Sequence, residues 1–178
     1  LNGHTLPPPS HCAAMVLNAL TGLERERPLQ RIHGDLCFNN ILAEPLHAAV
    51  RLIDPRGETP PGQALPVGYG DPRYDLVKLL HSGCYGYDLA VHGLFELSGR
   101  PGSPWQACLV PPTQAALVTA QLRAFEHSRG LSEDEERWLT ASLFCSMLPL
   151  HSDSLRRQTM LTLIGCCIAT DAFPLLLP

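Results

Sequence analysis

The stretch IHGDLCFNNILAEPLHAAVRLIDPRG, residues 32–57, contains the most informative pattern in this chain. Two short apolar pieces, residues 41–42 and 50–53, have the pattern of two strands joined by a turn around Pro45. Polar residues stand immediately before the first piece and immediately after the second. The stretch therefore predicts one small β-hairpin with a polar loop at its base.

The polar residues at the base of this hairpin have an ordered spacing. His33, Asp35 and Asn40 form the pattern H-x-D-x-x-x-x-N, and Asp54 follows nineteen residues after Asp35. Two carboxylates and an amide are what phosphoryl transfer requires. One carboxylate accepts or orients the proton of the attacking hydroxyl, while the amide oxygen and the second carboxylate hold Mg²⁺ against the nucleotide phosphates. The spacing favours that chemistry.

Helical patterns fill most of the remaining chain. The segment DPRYDLVKLLHSG has Asp71 as a cap and Pro72 at its first helical position, and it ends at Gly83. Ser132 with Glu135 three residues later forms a capping box that starts another helix. We expect a mainly α fold with one small β-hairpin, an α+β class. Six helices are predicted, over residues 11–23, 71–83, 87–97, 112–130, 132–150 and 152–170.

The composition of the chain limits the classes of protein to which it can belong. Its 178 residues are 45% apolar and 17% charged, which is enough for one packed domain. A net charge of −4 and an aromatic content of 6% argue against nucleic-acid binding. Seven cysteines without a C-x-x-C pair predict reduced thiols in a cytoplasmic protein. No apolar stretch is long enough to predict a membrane span.

Several polar residues receive ordinary structural roles. Ser10 is expected to cap the first helix, after a proline-rich linker or tail at residues 1–10. Arg73 is expected to be a solvated charge, and the acidic run at 133–136 to favour a helix start without needing a partner. Cys37 is expected to be buried filler, because no base stands beside it in sequence.

Three separated segments together carry a family resemblance: IHGDLCFNNIL, LIDPRG and GDPRYDLVKLL, within residues 31–83. They resemble the C-terminal lobe of the protein-kinase-like fold, and more narrowly the aminoglycoside phosphotransferase and choline kinase group of small-molecule kinases. That group has H-G-D where protein kinases have H-R-D, and it often lacks the Phe of D-F-G. Gly34 and Pro55 occupy these two positions here. The segments LIDPRG and YDLVKLLHS are also similar to those of bacterial phosphotransferases found near capsule and surface-sugar genes.

The resemblance implies a role for each motif residue. Asp35 resembles the catalytic base, Asn40 one Mg²⁺ ligand and Asp54 the principal Mg²⁺ ligand. His33 resembles a structural histidine that braces the loop, and Asp75 resembles the helix acid that hydrogen-bonds the loop backbone. The implied cofactors are Mg²⁺ and ATP or GTP, with no cofactor-binding residue in this chain beyond the metal ligands.

The resemblance also divides the chain. It implies a catalytic loop at 33–40, a metal-binding hairpin at 41–57, an activation-type loop at 58–70 and a helical remainder at 71–178, all within a kinase-like C-lobe at 11–178. Such kinases begin with a lobe that carries a glycine-rich loop and a strand lysine. Here 32 residues precede His33 and none is lysine. We therefore expect the N-terminal lobe of the same protein to be the missing partner, and the 178 residues alone to be inactive.

Two functions remain open at this point. One is a phosphotransferase that acts on a hydroxyl of a small molecule such as a sugar, an amino alcohol or an aminoglycoside. The other is a non-catalytic kinase-like module that binds a small molecule or a protein. Taken singly, Asp35 and Asp54 also fit turn residues that cap local backbone, and His33 with Asp35 also fits part of a transition-metal site. The choice between ATP and GTP would be made by the missing lobe.

Overall fold

The computed structural model describes residues 1–23, 27–56 and 68–178. It combines α-helices with small antiparallel sheets, which confirms the predicted α+β class. The described residues form six α-helices, and all six lie close to predicted helices. They are α1 (Pro9–Gly22), α2 (Arg73–Gly83), α3 (Tyr87–Val91), α4 (Ala115–Ser128), α5 (Glu133–Met147) and α6 (Leu155–Ala169).

The predicted hairpin is present, but the expectation of a single hairpin is wrong. Its turn is a short 3-10 segment at Pro45–His47, followed by Ala48 in the left-handed region at a φ of 47°. Within the described ranges there are three antiparallel pairs of strands. They are β1 (Gln30–Arg31) with β4 (Tyr69–Gly70), β2 (Ile41–Glu44) with β3 (Ala49–Leu52), and β5 (Phe95–Ser98) with β6 (Gln106–Leu109).

The predicted helix over 87–97 is wrong in its second half. Helix α3 ends at Val91, and Gly93 follows with a φ of 73°, which a continuing helix does not allow. Strand β5 then begins at Phe95, which pairs with Leu109. Burial alternates along β5, with Phe95 and Leu97 turned inward from exposed neighbours. In so short a segment the apolar residues fit a period of 2 as well as a period of 3.6.

The core lies where helices α1, α2, α5 and α6 pack together. Helix α6 approaches α5 closely at Gly165, where an added Cβ would lie 3.1 Å from the Cβ of Phe144. All seven cysteines are free, and four of them, Cys12, Cys37, Cys166 and Cys167, are buried. Among the described residues, no helix combines the length and the apolar character that a membrane crossing needs. The fully buried apolar side chains include Leu80, Phe144, Met160, Leu161, Ile164 and Leu176.

The first residues of the chain are held against the body of the protein. The side-chain amide of Asn2 donates hydrogen bonds to the carbonyls of Ala107 (2.8 Å) and Leu175 (2.7 Å), and its oxygen accepts from the N–H of Ala107 (2.9 Å). Helix α1 begins at Pro9, so Ser10 lies inside the first turn and the expectation that it caps the helix is wrong. Proline suits this first position because its missing N–H would have no partner there.

The acidic start of α5 is partly buried and paired, contrary to the sequence expectation. The capping box of Ser132 and Glu135 is present as predicted. Glu135 also accepts hydrogen bonds from Arg27 (2.7 Å) and from Arg73 (3.0 Å). Arg73 is buried and pairs with Asp71 as well, so it is not a solvated charge. This network joins the start of α2 to the start of α5 and thereby fixes the position of α2.

A second acid in this region, Glu126, has a buried carboxylate. It lies in the last turns of α4 with no exposed surface, and neither of its carboxylate oxygens has a hydrogen-bond partner among the described residues. Nearby Glu136 carries hydrogen bonds from Tyr85 (2.6 Å) and Arg123 (3.1 Å). Burial, and then the charge of Glu136, raise the pKa of Glu126 to about 8. Glu126 is therefore mainly neutral at pH 7.

Replacing Glu126 with Gln should make stability less dependent on pH. In the unfolded chain the carboxyl ionises near pH 4.3. Below that pH the carboxyl is neutral in both states, and the wild type loses no stability at this site. As the pH rises from there to about 8, the carboxyl ionises in the unfolded chain but stays neutral in the folded protein, so the wild type loses stability. We expect the Tm of Glu126→Gln, relative to the wild type, to increase steadily between about pH 4 and pH 9. Thermal unfolding across that range measures it, with exposed Glu133→Gln as the control. A difference that does not change with pH would contradict the account.

Candidate active site

One face of helix α2 holds the loop that contains the sequence motif. Asp75, Lys78 and Ser82 are spaced by three and then four residues, which places them on one face of the helix. Their contacts follow the order of the loop: Asp75 meets residues 33 and 34, Lys78 meets residue 35, and Ser82 meets residue 38. Helix α2 therefore contacts the loop along its whole length and holds it in place.

The first attachment is made by Asp75. Its carboxylate accepts the backbone N–H of His33 (2.6 Å) and of Gly34 (2.8 Å), the kind of contact that the sequence analysis expected of this acid. Gly34 has a φ of 77°, and an added Cβ there would lie 2.6 Å from the carbonyl oxygen of Arg56. Only glycine fits this close approach between the loop and the segment after β3.

The last attachment is made by Ser82. Its hydroxyl oxygen accepts the backbone N–H of Phe38 (2.9 Å), and its O–H donates to the carboxylate of Asp88. Asp88 is largely enclosed, and burial raises the pKa of its carboxyl. The 3-10 turn Phe38–Asn40 is thereby tied to α2, two helical turns beyond Asp75. Both ends of the loop are fixed to the same rigid element.

Between these attachments, Lys78 contacts the side chain of Asp35. The Nζ of Lys78 lies 2.7 Å from Oδ1 of Asp35, and the Nε of Arg56 lies 3.2 Å from Oδ2. Sequence reasoning missed both cations. A signal for Lys78 was present, because a single lysine within an apolar helix stands three residues after the loop-binding Asp75.

His33 lies inside the loop as a buried ring. Its Nδ1 accepts the backbone N–H of Asp35 (3.3 Å), and its Nε2 is buried without a hydrogen-bond partner among the described residues. Over the same residues, no group of three or more His, Cys, Asp or Glu side chains is arranged to hold a metal ion.

Asn40 has its side-chain amide fixed by the loop. The amide nitrogen donates to the backbone carbonyl of Asp35 (2.8 Å), and the backbone N–H of Asn40 donates to the carbonyl of Cys37 (3.0 Å). Because the amide nitrogen is used in this way, Oδ1 is the atom left to bind a cation.

Cys37 is buried, and burial followed by the charge of Asp35 raises the pKa of its thiol, so it is a poor nucleophile.

Asp54 is brought to the same place by the end of β3. The backbone N–H of Ile53 donates to the carbonyl of Asn40 (3.0 Å), and that of Arg56 donates to the carbonyl of His33 (2.8 Å). Asp54 stands between these two bonds, is exposed, and has a φ of 53° in the left-handed region. Non-glycine residues adopt such conformations where the surroundings enforce them, often at functional sites.

The structure therefore gathers Asp35, Asn40 and Asp54 at the base of the β2–β3 hairpin. Of the expected activation-type loop, residues 58–67 lie outside the described residues, and Tyr69–Gly70 form strand β4. Comparisons with protein-family models, curated proteins and solved structures found no match to this chain.

Removing the carboxylate of Asp75 should destabilise the protein measurably. Asp75→Ala leaves two N–H donors of the loop without an acceptor, and each unsatisfied donor costs about 1–3 kcal/mol. We expect a loss of about 2–4 kcal/mol in the free energy of unfolding, measured by urea denaturation. Asp75→Asn keeps one acceptor oxygen and should lose about half as much. A loss below about 0.5 kcal/mol for the alanine variant would mean that this attachment does not hold the loop.

Proposed function

We propose that this chain is the kinase-like C-terminal lobe of a Mg²⁺-dependent phosphotransferase. It would take part in moving the terminal phosphate of ATP or GTP to a hydroxyl of a small molecule such as a sugar, an amino alcohol or an aminoglycoside. The observation that carries the proposal is that Asp35 and Asn40 lie on a loop braced at both ends, and that the end of the hairpin brings the backbone of Asp54 beside that loop. Phosphoryl transfer depends mainly on such positioning.

The oxygen atoms of this group suit magnesium. Mg²⁺ prefers carboxylate and carbonyl oxygens and retains several of its waters, so one or two protein ligands are enough. Asn40 has Oδ1 left for a cation, and Asp54 presents its carboxylate on an exposed segment. Bound there, Mg²⁺ would supply the positive charge that offsets the nucleotide phosphates. Asp35 would orient the acceptor hydroxyl and take its proton.

The hairpin beside these residues has an apolar face that suits a nucleotide base. The register pairs Ile41 with Leu52 and Ala43 with Val50, and paired residues of antiparallel strands lie on one face. Val50 and Leu52 are more than half exposed, so this face is open over much of its area. A flat, largely apolar base could pack here while its phosphates reach Asn40 and Asp54.

The proposal includes a nucleotide-binding lobe outside these 178 residues. Kinases of this type use a strand lysine and a glycine-rich loop to hold the phosphates. The single lysine of this chain, Lys78, is buried and engaged with Asp35, so it is not available for that purpose. The exposed apolar face of the hairpin would then be covered by the additional lobe.

A non-catalytic kinase-like module is the second candidate, and one observation favours it. Both carboxylate oxygens of Asp35 are paired, one with Lys78 and one with Arg56. A carboxylate paired with a cation on each oxygen is a weaker base and is less open to a substrate hydroxyl than an unpaired one. Because Arg56 is largely exposed and the resulting pair is exchangeable, this observation leaves the catalytic proposal as the first choice.

Removing the carboxylate of Asp35 in the longer protein should abolish most turnover. Loss of a general base lowers turnover by about a hundredfold or more, and nucleotide affinity should change little because Asp35 binds no metal in this proposal. Steady-state kinetics of Asp35→Ala measure both quantities. Asp153→Ala, which removes an exposed acid paired with Arg157 far from the loop in sequence, is the control. Near-normal turnover in Asp35→Ala would reject the catalytic-base assignment.

Removing the carboxylate of Asp54 should act on metal-dependent binding instead. In the longer protein, Asp54→Ala should abolish the Mg²⁺-dependent part of nucleotide affinity, because the metal is the main counter-charge to the phosphates. Calorimetric titration with and without Mg²⁺ separates the two parts. Asp54 would be excluded from the site if its alanine variant retained the wild-type difference between the two titrations.

The 178 residues on their own should bind nucleotide weakly and transfer no phosphate. Two protein ligands to one Mg²⁺ on an open surface correspond at best to a dissociation constant of about 1 mM, or about 4 kcal/mol. Titration of the purified chain with Mg²⁺ and ATP or GTP, followed by a turnover assay with sugars and amino alcohols, provides the test. Micromolar affinity or measurable turnover would show that the chain contains a phosphate clamp of its own.

A further inference from the structure

The two oxygens of the Asp35 carboxylate have unlike partners. Oδ1 meets the ammonium of Lys78, whose side chain is only 7% exposed, whereas Oδ2 meets the guanidinium of Arg56, whose side chain is 68% exposed. The first contact is also the shorter, at 2.7 Å against 3.2 Å. The carboxylate thus has one enclosed side and one side that opens to solvent.

These surroundings make the two ion pairs different in strength and lifetime. A lysine is seldom buried unless a counter-charge accompanies it, and removing one partner of a buried pair leaves an uncompensated charge. An exposed pair is weak, because water and salt screen it and both side chains remain mobile. Lys78 therefore stays with Asp35, while Arg56 exchanges readily with other groups.

The neighbours of Lys78 on helix α2 support the first contact. Lys78 lies on α2 between Asp75 and Ser82, which hold the loop residues on either side of Asp35. Contacts that do not involve Lys78 therefore fix the position of the loop relative to helix α2. The Nζ atom is presented to Oδ1 by this framework.

We propose that Lys78 is a positioning residue for Asp35 and that Oδ2, once Arg56 moves away, is the oxygen that receives the acceptor hydroxyl. This inference rests on the proposed function. In the reaction, the acceptor oxygen bonds to the terminal phosphorus of the nucleotide while the bond from that phosphorus to the bridging oxygen breaks. The hydroxyl proton moves to Oδ2, and the nucleoside diphosphate leaves. Lys78 keeps Oδ2 directed at the acceptor throughout.

A matched pair of substitutions at the same carboxylate tests this asymmetry in the longer protein. Lys78→Met should lower kcat by about tenfold to a hundredfold through misdirection of Asp35, with the acceptor KM within about threefold of the wild type. Lys78→Arg should recover part of kcat. Arg56→Gln, which removes the competitor for Oδ2, should lower the acceptor KM. Equal losses of kcat in Lys78→Met and Arg56→Gln would overturn the proposal.

The same series separates this inference from the proposed function. If Asp35→Ala retains the turnover of the wild type, the catalytic proposal fails and Lys78 has no base to position. If Asp35→Ala is inactive while Lys78→Met keeps a normal kcat, the present inference alone fails. Partial recovery in Lys78→Arg distinguishes positioning from a fold that collapses without the buried cation.

A readout without catalysis uses the fact that Lys78 is the single lysine of the chain. Lysine labelled with ¹⁵N and ¹³C gives one set of side-chain NMR signals from the 178 residues. We expect an ammonium signal protected from exchange in the wild type, lost or strongly shifted in Asp35→Asn and retained in Arg56→Gln. Identical lysine signals in the wild type and Asp35→Asn would show that the pair does not form in solution, which overturns the inference whatever the activity.

Discussion

The hydrogen bonds from the backbone of His33 and Gly34 to the carboxylate of Asp75 are the constraint on which the rest of the site depends. They fix the start of the loop to helix α2, and Ser82 fixes its end on the same helical face. A loop of this kind has few backbone partners of its own. Because Asp75 and Ser82 of helix α2 accept its N–H groups, the loop that carries Asp35 and Asn40 is attached to a rigid element at both ends.

The core and the site are connected through that helix. Arg73, at the first position of α2, is buried between Asp71 and Glu135 and joins the helix to α5. On the other side, the segment after β3 is bonded to the loop at Asn40 and His33. Asp35, Asn40 and the backbone of Asp54 are thereby brought to the base of one hairpin, although they arise from a loop and from the end of a strand.

The β2–β3 hairpin and the approximate positions of the helices could be predicted from local patterns, because turn residues and apolar spacing act over a few residues. The pairing of Lys78 with Asp35 and the burial of Arg73 with Glu135 depend on how distant segments pack, which local spacing does not specify. Strand β5 was predicted as part of a helix because its few apolar residues fit the period of a strand and the period of a helix equally well. The roles of Asp35, Asn40 and Asp54 came from the motif and remain a proposal.

The proposed magnesium site is tested most directly by paramagnetic broadening in the NMR spectrum of the ¹⁵N-labelled chain, with Mn²⁺ in place of Mg²⁺ and a nucleotide at millimolar concentration. The account predicts that broadening is centred on the side-chain amide of Asn40 and the backbone N–H of Asp54, and that it is lost in Asp54→Asn. Broadening centred on the acidic start of α5, at Glu133 and Asp134, with Asn40 unaffected, would contradict it.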